Sequence, residues 1–272
     1  MSEPSPAPSL LQLPGTWDAV SATYAAEAGQ WTDYAHEALR TLPVGPTDRV
    51  LDVACGPGTL AFAAAARASQ VDAVDFSPLM IDELVARASR EGVTNVQAAV
   101  MDAQTLEYPD AVFDAAFNLF SFFFFPDRAR AFREMLRVLR PGKSALIVTW
   151  SPIERRPIMR IALEAAAEAL PELPRQTKGD LQDPEECVRE MSSAGFQNVS
   201  AHLFTASVRI ESVERYRDFI VRSAAPLAVM KKKLSEAEWN AAMARFLDAL
   251  RSRIPEGGTD LSAEAIFTKG TR

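Results

Sequence analysis

Cysteine and histidine are scarce in this chain of 272 residues, with two of each. Cys55 and Cys187 are too few for a disulfide framework. With only His36 and His202 as companions they are poor material for a metal site, so reduced thiols and no metal are expected. Long apolar runs are also missing. No stretch approaches the roughly 20 residues that cross a bilayer. The opening MSEPSPAPS lacks the basic and apolar regions of a signal peptide, so no membrane partner and a cytoplasmic location are expected. Positive charge is in deficit as well, the formal net charge being −7. Such a surface has no long-range attraction for phosphate backbones, and nucleic acid is not an expected partner.

What is present suits a folded core. Hydrophobic residues make up 48% and charged residues 24% of the chain, the balance of a globular protein. The length fits one α/β domain with an inserted lid. Residues 1–14 are rich in Pro and Ser without hydrophobic periodicity and are expected to form a tail, with structure beginning near Trp17. Trp31, Tyr34, Ala35, Ala38, Leu39 and Leu42 recur at helical spacing before Pro43.

From Arg49 strands and helices alternate. Val50–Ala54 reads as a strand, followed by a Cys55-Gly56-Pro57-Gly58 loop and an alanine-rich helix to about Ala68. Gln70–Asp75 is a second strand, after which Ser77 and Pro78 supply the N-cap and first residue of a helix. Val96–Val100, Phe113–Leu119 and Ser144–Trp150 are further strands, the last preceded by a helix that Arg140-Pro141-Gly142 ends. Later segments include helices at Pro157–Leu170 and Pro184–Ala194, a loop at Pro171–Asp183, and strands at Val199–Ile210 and Leu261–Thr268. Between those strands lies a helix with a Ser235/Glu238 capping box. This order implies a mainly parallel sheet covered on both faces, with ligands at the carboxyl ends of its strands.

The sharpest motif is Val50-Leu51-Asp52-Val53-Ala54-Cys55-Gly56-Pro57-Gly58, in which glycines let backbone pass close to a ligand. Gly56-x-Gly58-x-x-Ala61 also fits a dinucleotide fingerprint. Asp75, at the end of the second strand, is placed to accept from ribose hydroxyls of either a nicotinamide cofactor or a sulfonium nucleoside. Asp52 separates the two. An acid beside the glycine turn disfavours pyrophosphate and favours an ammonium. Asp102-Ala103 follows the third strand, where a carboxylate can accept from an adenine amine and a small residue leaves room for the ring.

The series VLDVACGPGT, AVDFSPLM, MDAQTLEYPDAVFDAAF and LRVLRPGK resembles class I S-adenosylmethionine-dependent methyltransferases of the UbiE/type 11 kind, over residues 48–150. Where that family usually shows a glycine pair, this chain has Gly142-Lys143. The resemblance implies a three-layer α/β/α Rossmann-like fold. Its seven-stranded sheet would be mostly parallel with an antiparallel terminal strand, and helical lid insertions would complete it. It divides residues 15–272 into an N-terminal helical cover (15–47), a cofactor-binding core (48–150), and substrate-covering helices with the terminal strands (151–272). It implies S-adenosylmethionine held by backbone around Ala54, Gly56 and Gly58, and Asp75 on the ribose. Phe76 and Met80 would lie against the adenine, Asp102 and Ala103 at its edge, and Asn118 and Leu119 beside the methionine part. The product would be S-adenosylhomocysteine and the partner a small-molecule methyl acceptor.

A general base would assist many acceptors. Tyr24, in the segment that would cover the cofactor, and His202 are the candidates, and Tyr24 reads equally as core packing. His36 falls on the outer side of its helix. Phe120 and Phe122–Phe125 read as core packing or as a wall for an apolar acceptor. Two other classes stay open: a nicotinamide-dependent oxidoreductase, which leaves Asp52 and Asp102 without roles, and a non-catalytic S-adenosylmethionine-binding protein.

Overall fold

A computed structural model describes residues 10–26, 28–172 and 181–272 of the chain. Its helices are α1 (Pro14–Asp18), α2 (Ser21–Ala26), α3 (Thr32–Thr41), α4 (Thr59–Ala65), α5 (Pro78–Glu91), α6 (Arg128–Val138), α7 (Pro157–Ala169), α8 (Pro184–Ser193), α9 (Val213–Ser223), α10 (Ala225–Lys231) and α11 (Glu236–Arg251). Its strands are β1 (Arg49–Val53), β2 (Gln70–Asp75), β3 (Val96–Val100), β4 (Phe113–Leu119), β5 (Leu139–Trp150), β6 (Gln197–Ile210) and β7 (Thr259–Thr271). They form one seven-stranded sheet in the order β3-β2-β1-β4-β5-β7-β6. The first five strands are parallel, and β7 runs antiparallel to both of its neighbours.

Alternation along the strands builds two cores. Val50, Ala73, Phe117, Val148 and Phe267 point to the face covered by α3, α4 and α5. Leu51, Val53, Ala116, Ile147 and Ile266 point to the face covered by α6 and α8. With helices on both faces, the central strands are buried nearly throughout, which is why β1 and β4 read as continuous apolar runs. A third cluster, built from α7, α9, α11 and the start of β7, packs over the far end of the sheet.

The local caps follow the sequence. The Ser77 hydroxyl accepts from the Met80 N–H, and Ser235 with Glu238 forms a complete capping box. Other expectations are corrected. Structure is already present ahead of Trp17: Leu10–Gln12 forms a 3-10 turn, and the Trp17 indole donates to the Leu11 carbonyl at 2.9 Å. Only residues 1–9 of the anticipated tail lie outside the described residues, as do residues 173–180 of the Pro171–Asp183 loop. Arg140-Pro141-Gly142 does stop α6, but it belongs to β5. The register jumps from Phe113↔Leu139 to Ala115↔Ser144, so these residues bulge out of the strand with Gly142 at φ 77°. The alanine-rich helix is shorter than expected, ending at Ala65.

Candidate functional site

β1 delivers its backbone into a left-handed turn. Ala54, Gly56 and Gly58 have φ of 53°, 52° and 89°. At Gly58 the glycine is required twice over, because a Cβ there would stand 2.9 Å from the Phe62 ring and 3.0 Å from Leu84. A Cβ on Gly56 would meet nothing within 4 Å, so the backbone at that point borders open space. On the neighbouring strand Phe120, the residue after β4, also has positive φ, at 59°. Two non-glycine residues in this conformation at adjacent strand ends mark the strained rim of the sheet.

Asp75 ties that rim together. One carboxylate oxygen accepts from the Gly56 N–H at 2.9 Å and the other from the Ser77 N–H at 2.9 Å. Burial raises its pKa to about 6, against the lowering effect of these backbone donors. Each oxygen keeps a lone pair for a further donor. Asp52 is more isolated. It is 2% exposed, it takes a hydrogen bond from the Ala61 N–H in the first turn of α4, and its Oδ2 has no partner among the described residues. Burial pushes this carboxyl up to about 8, and the charge of Asp75 adds to the rise. Asn118, also fully buried, donates to the Val53 carbonyl at 2.8 Å and to the Ser121 hydroxyl while its Oδ1 stays unsatisfied. Two orphaned buried oxygens therefore flank the end of β1, where an acceptor-poor ligand with N–H donors would satisfy them.

The remaining residues singled out in the sequence fall around this turn in different ways. Phe76 is half-buried next to Asp75, and Met80 is 2% exposed at the start of α5. Asp102 is exposed and accepts from the backbone N–H of Gln104 at 2.8 Å and from its side-chain amide, while Ala103 beneath it is buried. Leu119 packs half-buried against the α3–α5 core. The aromatic run divides: Phe122 is core, with its ring 4.1 Å from that of Phe132, whereas Phe120 and Phe123 remain half-exposed.

Neither weak candidate for a base has the surroundings of one. Tyr24 packs with Trp17 beside Val20 and Met80, and burial raises its phenol to about 12, so a phenolate is disfavoured near neutrality. His202 is committed elsewhere, its Nε2 lying 2.9 Å from Glu37 Oε1 under α3 and its ring stacked on Phe267. β6 is four strand positions from β1, or roughly 19 Å at ordinary strand spacing. His36 is exposed. Cys55 is buried and its thiol is pushed well above the usual range, which makes it an inert part of the turn.

One contact was not legible beforehand. Asp18, ending α1, accepts from the Ser77 hydroxyl at 2.6 Å and from the Leu79 N–H at 3.3 Å, and the Trp17 ring lies 5.1 Å from that of Phe124. Residues 14–24 thus lie against the rim from α5 to the end of β4. An Asp next to a Trp in a proline-rich opening carries no periodic signal that could have announced this. Among the described residues no three His, Cys, Asp or Glu side chains gather as a metal site, and no helix is long and apolar enough to cross a membrane. A groove of about 430 Å³ between α9 and α11, lined by Arg217, Asp218 and Trp239, is remote from this chemistry.

Comparison with known proteins bears on the same segment. Residues 50–142 match the family model described as a methyltransferase domain. Aklanonic acid methyltransferase DauC of Streptomyces sp. is 31% identical over 166 residues, which cover 55% of this chain and 74% of DauC. An uncharacterized Mycobacterium tuberculosis protein is 35% identical over 108 residues, 40% of this chain, and only 39% of that relative's length is spanned. Among solved structures, the [4+2]-cyclase SpnF superposes with a TM-score of 0.61 at 21% identity over 97% of both chains, a likeness of fold. The turn, the acid at the end of β2 and the sheet order agree with a relationship that extends over three quarters of DauC, and the chain belongs to the class I S-adenosylmethionine-dependent methyltransferases.

Proposed function

We propose that this protein transfers a methyl group from S-adenosylmethionine to an oxygen, nitrogen or carbon atom of a small organic metabolite. The observation that carries the reading is the pair of buried, unpartnered oxygens, Asp52 Oδ2 and Asn118 Oδ1, beside a left-handed backbone turn that borders open space at Gly56. An acid with one unsatisfied oxygen and a pKa near 8 suits an ammonium, whose charge would return it to the ionised form. It does not suit a pyrophosphate, which would face a second negative charge. The donor supplies a sulfonium-bound methyl group that is already an activated electrophile.

The chain's own task is then to bind, align and exclude water. In this reading the backbone at Ala54, Gly56 and Gly58 passes along the donor, Asp52 and Asn118 meet its ammonium end, and Asp75 accepts from the ribose with its remaining lone pairs. Phe76, Met80, Asp102 and Ala103 surround the adenine. Tyr24 contributes apolar cover from α2. Residues 15–47 form the cover and residues 151–272 the acceptor side. Alignment alone accounts for several orders of magnitude in rate.

The test is isothermal titration with S-adenosylhomocysteine, S-adenosylmethionine and NADH. Micromolar binding of the first two with none of the third supports the reading. No binding of either sulfur nucleoside removes it.

A further inference from the structure

Arg155 and Arg156 stand next to each other just after β5 and have opposite fates. Arg155 is exposed and ion-paired to Glu264 at 3.1 Å. Arg156 is 2% exposed and has no carboxylate at ion-pair distance among the described residues. Its Nη1 donates to the Met159 sulfur at 3.4 Å, a weak acceptor, its guanidinium lies 5.7 Å from the centre of the Trp150 ring, and its Nε has no partner among the described residues. Glu154 is its one charged neighbour of note, and burial still pulls the guanidinium down to about 10. The Ser151 hydroxyl, 1% exposed at the start of the same loop, is unpartnered too.

A buried cation without a counter-ion is expensive and persists where something else compensates. The surroundings say where that something sits. Trp150 stacks on Phe120 at 3.9 Å and 15°, and Phe120 is the strained residue directly after Asn118 and Leu119. Arg156 is thus joined to the rim through two aromatic rings. Its loop follows the end of β5, a strand that is itself two positions from β1, roughly 10 Å at ordinary strand spacing. Among the described residues the unpartnered buried side-chain oxygens are Asp52 Oδ2 and Asn118 Oδ1 at β1 and β4, Ser151 Oγ after β5, and Glu264 Oε1 and Thr268 Oγ1 on β7, while Arg156 Nε is the one unpartnered buried side-chain nitrogen, so it is beyond β5 that the rim offers a donor to an anionic group.

We propose that Arg156, with the Ser151 hydroxyl, receives a carboxylate or phosphate on the methyl acceptor, whose flat apolar body lies against Phe120 and Trp150. The inference rests on the methyltransferase reading and narrows its substrate to anionic acceptors. The same guanidinium chemistry would also suit the donor's own carboxylate, and the experiment separates these sources. Wild-type protein is titrated with S-adenosylhomocysteine. With and without that ligand at saturation, it is then titrated with 2-naphthoate, 2-naphthyl phosphate and the neutral 2-naphthamide, and each titration is repeated on Arg156→Gln and Arg156→Lys.

The expected result is at least tenfold tighter binding of one anionic probe than of the amide. That preference is abolished in Arg156→Gln and partly kept in Arg156→Lys, with S-adenosylhomocysteine affinity within twofold of wild type throughout. Equal binding of amide and anions by wild type overturns the proposal without any variant having to fold. So does an Arg156→Gln protein that loses S-adenosylhomocysteine and keeps the naphthoate preference, since the arginine would then serve the donor. Failure of wild type to bind S-adenosylhomocysteine counts against the methyltransferase reading, and the probe titrations without it then report on Arg156 alone.

Discussion

The part of the molecule before Trp150 and the part after it are stabilised differently. Before Trp150 every helix from α3 to α6 lies on the sheet, and the strands between them, the edge strand β3 apart, are covered on both faces. After it, α7, α9 and α11 gather chiefly around one another, while β6 and β7 extend as a long antiparallel pair. In the first part the polar residues at the rim are held by backbone: Asp75 by Gly56 and Ser77, Asp52 by Ala61. In the second the buried arginine has almost nothing. In the proposed function, the donor common to a family is met by a frame built from backbone, and the acceptor by side chains of the second part.

That contrast can be broken most forcefully at Asp75. Asp75→Ala strips both the proposed ribose acceptor and the acceptor of two backbone N–H groups. It is expected to weaken S-adenosylhomocysteine binding more than tenfold and to cost about 1–3 kcal/mol in chemical denaturation. Unchanged affinity would remove Asp75 from the site.

Asp52 gives the next effect, and its two parts have opposite sign. Burial lifts its folded pKa above the unfolded value, so the stability of the protonated form is fully present below about pH 4 and drains away as pH rises to about 8. Asp52→Asn should therefore raise ligand-free stability at pH 8 by about 1 kcal/mol or more, while weakening S-adenosylhomocysteine at least tenfold. Wild-type binding should release a proton and tighten from pH 6 to pH 8, which titration in two buffers of different ionisation enthalpy would reveal. A variant destabilised at pH 8 would mean that the carboxylate is satisfied in the free protein.

Smaller effects sharpen the comparison. Gly58→Ala places a Cβ against Phe62 and Leu84 at positive φ and should cost about 1–2 kcal/mol with a loss of donor affinity. His202→Ala, in the second part, should cost about 1 kcal/mol and leave donor binding unchanged, because it removes a half-exposed ring that pairs with Glu37 and stacks on Phe267, both away from the turn. Lost binding in that variant would place β6 nearer the chemistry than its strand position allows.

What could be read from the sequence was what is local. The turn after Val53, the Ser77 cap and the Ser235/Glu238 box each follow from a few adjacent residues, and all are in place. The segment Arg140-Pro141-Gly142 carries a stop signal for α6, and it keeps its turn character as a bulge between the paired residues Leu139 and Ser144 of β5. Long-range partners were invisible. Nothing near Asp18 announces Ser77, nothing near His202 announces Glu37, and an arginine is so commonly a surface residue that Arg156 drew no notice beside Arg155.

The strand order also constrains how the protein is made. β7 lies between β5 and β6, so β5 has no neighbour on that side until Thr259–Thr271 has been synthesised, and β6 cannot take the place because it pairs only with β7. From the appearance of Trp150 to that of Thr259, the ribosome needs roughly 5–20 s at ordinary elongation rates. For that interval a nascent chain displays the edge of Leu146, Ile147 and Val148, all apolar and fully buried in the finished fold. An open apolar edge of this kind is a template for pairing with other chains. Translation speed across α7 to α11, and chaperone cover during it, therefore bear on the yield of this protein.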